Sequence, residues 1–430
     1  MNRRTLLAAA LALALTPAVA VAQPGPAVSL PVDLAVPRPE IVVEGMGRGA
    51  DVVLTSLRRS RDGKLTFVGE LRRRADAQGR VRLADTPEDM ALLWDAKPRD
   101  AQPGDPEPGS VTVAAADGRA RTQAAVPTQP AAATYTVSSD TPFPGAVWAR
   151  PAGVARPPVV IILGGSEGGS STATAYAPLF GARGYAVLGL PYYNGFGPGG
   201  TAGLPDAFAE IPVDRLDQVR AWLAGRDDVD AGRIGIWGVS KGAEYALIAA
   251  SRYDWVDAVV AIVPTDVVWE GWGRPGTPFS SFSFGGAPLP FVPYDDIQRE
   301  FAKYGTGGRA DLRRAHADGR AKNPGRAIQA RIPIERFAGP LLVVGGGKDS
   351  IWPSGEMAEA IRDARRKARK PVFAVVEPGA GHGLAGPGTD PVEPLTALGG
   401  DARSIATARL AGWRETFQLF DAALRPAPPR

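Results

Sequence analysis

Three side chains at the ends of apolar runs could together carry out acyl transfer. They are Ser240 in "IWGVSKGAE", Asp349 in "LLVVGGGKDSIWPS" and His382 in "VVEPGAGHGLAG". A histidine can take the proton of a serine hydroxyl, which then attacks a carbonyl carbon. A buried carboxylate holds the imidazole in the correct tautomer and stabilises its charged form. A second stretch, "ILGGSEGG" at 162–169, also fits G-x-S-x-G. With 52 glycines in 430 residues, a chance match to that pattern is unsurprising. The pattern therefore has to be judged by its setting.

That setting is an alternation of strands and helices. "PPVVIILGG" (157–165), "GYAVLGLPYY" (184–193), "RIGIWGV" (233–239), "DAVVAIVP" (257–264), "GPLLVVGGG" (339–347) and "PVFAVVEPG" (371–379) are nearly continuous apolar runs. Between them lie helical patterns at 214–225, 241–253 and 403–424. Strands apolar on both faces, alternating with helices, predict a parallel sheet covered on both sides. The fold class is α/β, an α/β-hydrolase catalytic domain over 134–425. The chain order Ser240, Asp349, His382 is the order expected of that fold.

Ser240 follows a buried strand and opens a helix at once, so it stands proud of the sheet edge at a sharp turn. The helix N-terminus favours developing negative charge. Ser166 sits in a looser run of glycines, which suits a loop offering backbone N–H groups. The predicted oxyanion donors are the N–H of Lys241 and that of Ser166 or Glu167. The ordinary Gly-rich turn is the plain alternative for that loop, and no G-K-[ST] ending marks a phosphate loop. Only two histidines occur. His316, in the charged "DLRRAHADGRAKNPG", reads as a structural or surface residue, which leaves His382 as the base. Asp266 in "VPTDVVWEG" is the rival to Asp349, since some enzymes of this fold take the acid from the preceding strand. No metal or organic cofactor is called for. Two histidines in such different settings, with no cysteine, do not suggest a zinc site.

Before this part, short alternating runs at 40–45, 51–59, 65–74, 80–85, 90–96 and 109–117 are separated by turn chemistry. They predict a small immunoglobulin-like β-sandwich over 35–130, with "AKPRDAQPGDPEPG" (96–109) as a loop. An irregular excursion at about 265–331 is rich in aromatic residues. Its Trp269 and Phe282, with Tyr192 of "PYYNGFGPGG" (191–200), are expected to line an apolar acyl slot. The other reading is that these rings fasten the excursion to the body.

Several separated motifs occur together in one order. "IGIWGVSKGAEYALIAAS", "VVAIVPTDVVWEG", "APLPFVPYD", "IPIERFAGPLLVVGGGKDSIWPS" and "PGAGH" resemble the acyl-CoA thioester hydrolase / bile-acid-CoA:amino-acid N-acyltransferase family. Residues 140–425 resemble its catalytic domain. Residues 35–130 resemble its N-terminal sandwich through "LTSLRRSRDGK", "RADAQGRVRLAD" and "MALLWDAKP". The resemblance implies Ser240 as nucleophile, Asp349 as acid and His382 as base. Members that conjugate acyl groups to amino acids tend to carry cysteine where Ser240 stands, so serine implies hydrolysis. The family is mostly intracellular and acts on acyl-CoA.

The N-terminus departs from that. "MNRRTLLAAALALALTPAVAVAQ" has paired arginines, a short apolar run and a small-x-small site. It predicts a signal peptide over 1–22 and export, to the periplasm, with a partial twin-arginine pattern. The run is too short for a stable membrane anchor. The formal charge of +4, from 49 basic and 45 acidic residues, is mild and dispersed, which argues against a nucleic-acid partner. Absence of cysteine excludes disulfides and a thiol nucleophile. The predicted partner is a small-molecule ester or thioester. An exported carboxylesterase with no CoA substrate, a non-catalytic binding protein on the same fold and an exported peptidase are the alternatives.

Overall fold

The computed structural model describes residues 25–195, 200–276, 278–305, 310–392 and 398–425. The expected signal segment and residues 196–199 of the "PYYNGFGPGG" stretch lie outside them. The N-terminal part is β-rich. Strands β1 (Ala27–Ser29), β2 (Ile41–Glu44) and β5 (Val81–Leu83) form one antiparallel sheet. Strands β3 (Asp51–Arg59), β4 (Leu65–Arg74), β6 (Lys97–Asp100), β7 (Ser110–Ala116) and β8 (Arg121–Pro127) form another, in the order β6-β4-β3-β7-β8. Alternation in β3 and β7 turns Val52, Leu54, Val111 and Val113 inward. These residues are not a separate core. They belong to one continuous cluster with Trp237, Trp413, Phe417 and Phe420 of the α/β part.

Two expectations fail here. "MALLWDA" is not a strand but a helical turn, α1 (Ala91–Trp94), in which Leu92, Leu93 and Trp94 are all buried. A short run that is apolar throughout carries no period to tell the two apart. Part of the supposed 96–109 loop is the edge strand β6, pairing with Leu65–Val68 of β4. An edge position tolerates Pro98, because it need not donate on both sides.

The rest is a mixed eight-stranded sheet. It comprises β9 (Tyr135–Ser138), β10 (Val147–Pro151), β11 (Pro158–Leu163), β12 (Ala186–Gly189), β14 (Asp230–Val239), β15 (Ala258–Ile262), β18 (Leu341–Gly346) and β19 (Val372–Glu377). The order is β19-β18-β15-β14-β11-β12-β10-β9; the pairs from β12 to β19 are parallel and the other two antiparallel. The inner strands β11, β12, β15 and β18 are buried at every position. Helices α2 (Ser171–Gly181), α3 (Arg215–Ala224), α4 (Lys241–Ala250), α8 (Ser354–Lys367) and α9 (Ala402–Leu424) connect and cover these strands. Between β15 and β18 the chain departs through β16 (Phe282–Phe284), β17 (Ala287–Pro288), α5 (Ile297–Gly305), α6 (Leu312–Lys322) and α7 (Pro324–Gln329). The short strand β13 (Ile211–Pro212) pairs with β16 and ties this excursion back to the body.

Candidate active site

Ser240 lies between β14 and α4, with φ +57° and ψ −120°. A non-glycine residue there is strained and persists only where its surroundings over-determine it. They do. A β-carbon on Gly238 would lie 2.2 Å from the Gly242 carbonyl oxygen, and one on Gly242 would lie 2.2 Å from that of Leu163. The Ser240 N–H donates to Ile262 O at 2.9 Å. The turn is thus pressed against β11 and stitched to β15.

His382 and Asp349 come from loops at the same edge, past β19 and β18. His382 Nε2 is 3.0 Å from Ser240 Oγ, and His382 Nδ1 is 2.7 Å from Asp349 Oδ2. A carboxylate beside Nδ1 fixes the proton on that nitrogen and leaves Nε2 to accept from the serine. Asp349 is fully buried and its Oδ1 accepts the N–H of Ile351 at 2.8 Å and that of Trp352 at 3.3 Å. The Trp352 ring meets the His382 ring edge-on, centroids 5.0 Å apart. The His382 N–H donates to Leu398 O at 2.8 Å. The loop histidine is therefore held on several sides. The rival acid, Asp266, is instead engaged by both Nη atoms of Arg320, each at 2.7 Å.

The loop after β11 faces Ser240. A β-carbon on Gly165 would come within 3.0 Å of Ser240 Cβ. The Glu167 carboxylate folds back onto its own loop, accepting from Gly165 N–H at 2.9 Å and from the Thr172 hydroxyl. No protein acceptor takes the N–H of Ser166 or Glu167 among the described residues. Lys241, at the first position of α4, has an N–H beyond the reach of intrahelical bonding.

A cavity of about 610 Å³ opens on this arrangement, a size suited to a small molecule. Its wall includes Ser166, Glu167, Ser240, Lys241 and His382, with Tyr176, Trp272, Tyr294, Ile297, Leu312, His316, Trp352 and Arg409. Tyr192, Trp269 and Phe282 are not in that wall, which corrects the expectation for them. Tyr192 is buried and donates to Gly164 O at 2.6 Å. Trp269 is stacked on Tyr294 at 5.8 Å and donates through Nε1 to Thr265 Oγ1. Phe282 packs on Tyr245 and Phe208. Aromatic content marks the excursion without saying which rings face inward.

Of the two readings of His316, structural or surface, the structural one holds, but the sequence missed that it reaches the cavity wall. It is buried on α6 within a cage of Trp269, Tyr294 and Trp352, at 4.7, 4.8 and 5.4 Å. Its Nδ1–H donates to Leu312 O at 2.7 Å. Burial lowers its pKa to about 3. A buried pair beside the serine was missed as well. Lys241 Nζ donates to Glu244 Oε2 at 2.5 Å and to Ser281 Oγ at 2.8 Å, and Glu244 Oε1 accepts Trp269 N–H at 3.0 Å. Burial lowers the lysine pKa and raises that of the glutamate. The i, i+3 spacing in "SKGAE", on a helix otherwise apolar, was the available signal. Among the described residues no group of three or more acidic or histidine side chains could hold a metal ion. Nor is any described helix long and apolar enough to cross a membrane.

A strained serine between strand and helix, bonded to a histidine that is bonded to a buried aspartate, defines a serine hydrolase of α/β architecture. Residues 216–426 match the family model described as BAAT / Acyl-CoA thioester hydrolase C terminal. The chain belongs to the acyl-CoA thioesterase / BAAT-like α/β-hydrolase superfamily. It is 27% identical over 440 residues to the peroxisomal succinyl-coenzyme A thioesterase of Mus musculus, covering 88% of this chain and 92% of that one. Mitochondrial acyl-coenzyme A thioesterase 2 of Mus musculus is 24% identical over 438 residues, covering 88% and 85%. Acyl-coenzyme A amino acid N-acyltransferase 2 of Rattus norvegicus is 28% identical over 276 residues, covering 61% and 59%.

Proposed function

We propose that the enzyme cleaves acyl thioesters of the acyl-CoA type, or related carboxylic esters, through an acyl-enzyme on Ser240. His382 takes the Ser240 proton as Oγ attacks the carbonyl carbon. Asp349 holds the imidazole and stabilises its charged form. The tetrahedral oxyanion is received by the Lys241 N–H and by the N–H of Ser166 or Glu167. His382 then protonates the departing thiolate or alkoxide. Water, deprotonated by the same imidazole, releases the acid. The continuous bond chain from Ser240 through His382 to Asp349 carries this reading. Thioesterase relatives over most of the chain support the thioester class.

The N-terminal stretch favours a second reading of the substrate. Residues 1–22 have the pattern of a cleaved export signal, so the working compartment is the periplasm. There an ester or thioester without CoA is the substrate. We further assign residues 134–425 as the catalytic domain, with the excursion at about 265–331, and residues 35–130 as an immunoglobulin-like sandwich preceding it.

Wild type and Ser240→Ala are to be compared on nitrophenyl esters of increasing acyl length and on matched acyl-CoA thioesters. The variant is expected to lose roughly 10⁴-fold or more in kcat. The preferred series then separates thioester from ester. Equal, negligible rates in both proteins on every substrate would overturn the reading.

A further inference from the structure

Among the described residues, the cavity wall holds one basic side chain that no carboxylate neutralises. Of the two basic wall residues among those described, Lys241 is bound to Glu244. The other, Arg409 on α9, has no ion-pair partner among the described residues, and its only hydrogen bond runs from Nε to Gly383 O at 2.8 Å. That bond lays the guanidinium beside the residue following His382. A β-carbon on Gly383 would meet Arg409 Nη2 at 3.5 Å. The two Nη groups, the fork that suits carboxylates and phosphates, have no hydrogen-bond partner among the described residues.

A second donor stands close by. Tyr176 of α2 is also in the cavity wall. Its ring packs against Trp237 at 4.9 Å and Trp413 at 6.3 Å. Trp413 lies four residues beyond Arg409, on the same face of α9. The Tyr176 hydroxyl has no hydrogen-bond partner among the described residues. Burial holds it protonated, an effect that the nearby Arg409 charge only partly offsets. The carboxylate in the wall among the described residues, Glu167, is already occupied by Gly165 and Thr172. The remaining wall is mainly apolar.

We propose that Arg409 and Tyr176 form an anion subsite of the catalytic cavity, selecting substrates that carry a carboxylate or phosphate oxygen. This rests on the hydrolase reading above and narrows its substrate class. The anion belongs either to the far end of the acyl group or to the leaving group.

Two substrate pairs separate those sources. Nitrophenyl half-esters of dicarboxylic acids against their methyl-capped forms place the charge in the acyl half. Acyl-CoA against acyl-N-acetylcysteamine places it in the leaving half. The quantity read is the ratio of kcat/KM, anionic over neutral, which cancels any general loss from disturbing the His382 loop. In at least one pair, Arg409→Gln is expected to lower the ratio roughly tenfold to hundredfold, chiefly through KM. Arg409→Lys is expected to restore part of it, and Tyr176→Phe to produce a smaller loss. An unchanged ratio in both pairs overturns the subsite while leaving the hydrolase intact. Should wild type turn over nothing, the hydrolase reading fails first. Calorimetric titration of glutarate against butyrate, and of 4-phosphopantetheine against pantetheine, then tests the subsite alone. Lack of preference for the anion in both overturns it.

Discussion

At the residue scale, the burial of His316 has a consequence for pH. Its pKa is about 3 in the folded chain, against about 6.5 for an unfolded histidine. Between those values the unfolded chain binds a proton that the native chain refuses. The group's contribution is therefore fully present above about pH 6.5 and is lost as pH falls towards 3. Between pH 7 and 5 this is about 2 kcal/mol. His316→Leu should lessen the acid-side fall in stability by roughly that amount, measured as urea unfolding at the two pH values. An equal fall in both proteins would show that the histidine is not the titrating group. The sequence placed His316 among charged neighbours and so left a structural and a surface position both open. What it hid is that Arg314, Asp318 and Arg320 face outward from the same helix, with Arg314 and Arg320 paired to Asp295 and Asp266. The inner face meets rings from segments distant in the chain. The triad residues were easier to see, because Ser240 directly follows an apolar strand and Asp349 and His382 lie on the loops that leave two others at the same sheet edge.

At the scale of elements, the strand–Ser240–helix turn depends on contacts in which no β-carbon fits. Gly242→Ala would drive a methyl against the Leu163 and Gly164 carbonyl oxygens, at 2.2 and 2.3 Å. Helix α4 must then shift away from β11, at a cost of about 1–3 kcal/mol or more. Such a shift moves Ser240 relative to His382, so labelling by a fluorophosphonate should slow together with the drop in urea midpoint. Gly325, exposed in α7, has nothing within 4 Å of its β-carbon position. Gly325→Ala is expected to be neutral or to stabilise by up to about 1 kcal/mol, with unchanged labelling. If both alanines behaved alike, crowding at the elbow would not be what holds the serine. Strands buried on both faces were legible for the same reason that the elbow was: long apolar runs ending in glycine have few other uses. Helix α1 was not legible, being too short to show a period. Nor was β6, whose Pro98 and charged residues suit an edge strand and a loop equally well.

At the scale of the whole molecule, the β-rich N-terminal part and the α/β part are joined by buried polar contacts as well as by a shared core. Arg183 pairs with Asp33 at 2.9 Å, both nearly buried. Trp413 Nε1 donates to Ala35 O at 2.7 Å, and Thr389 Oγ1 donates to Leu34 O at 2.7 Å. Val392 N–H donates to Trp94 O at 2.9 Å. Helix α9 is central to this, because it carries Arg409 at the cavity and Trp413 beneath the N-terminal segment. Parting the two halves would leave Arg183 without its carboxylate and expose Trp413, costs that make independent unfolding unfavourable. The chain is therefore expected to unfold in one transition, with tryptophan fluorescence and far-ultraviolet circular dichroism coincident in urea. Asp33→Ala should shift that single transition to lower urea by the equivalent of about 3 kcal/mol, the cost of stranding a buried partner. Two separated transitions in the wild type would mean that the halves are only docked. Arg409 would then sit on a helix that need not report the state of the N-terminal sheets.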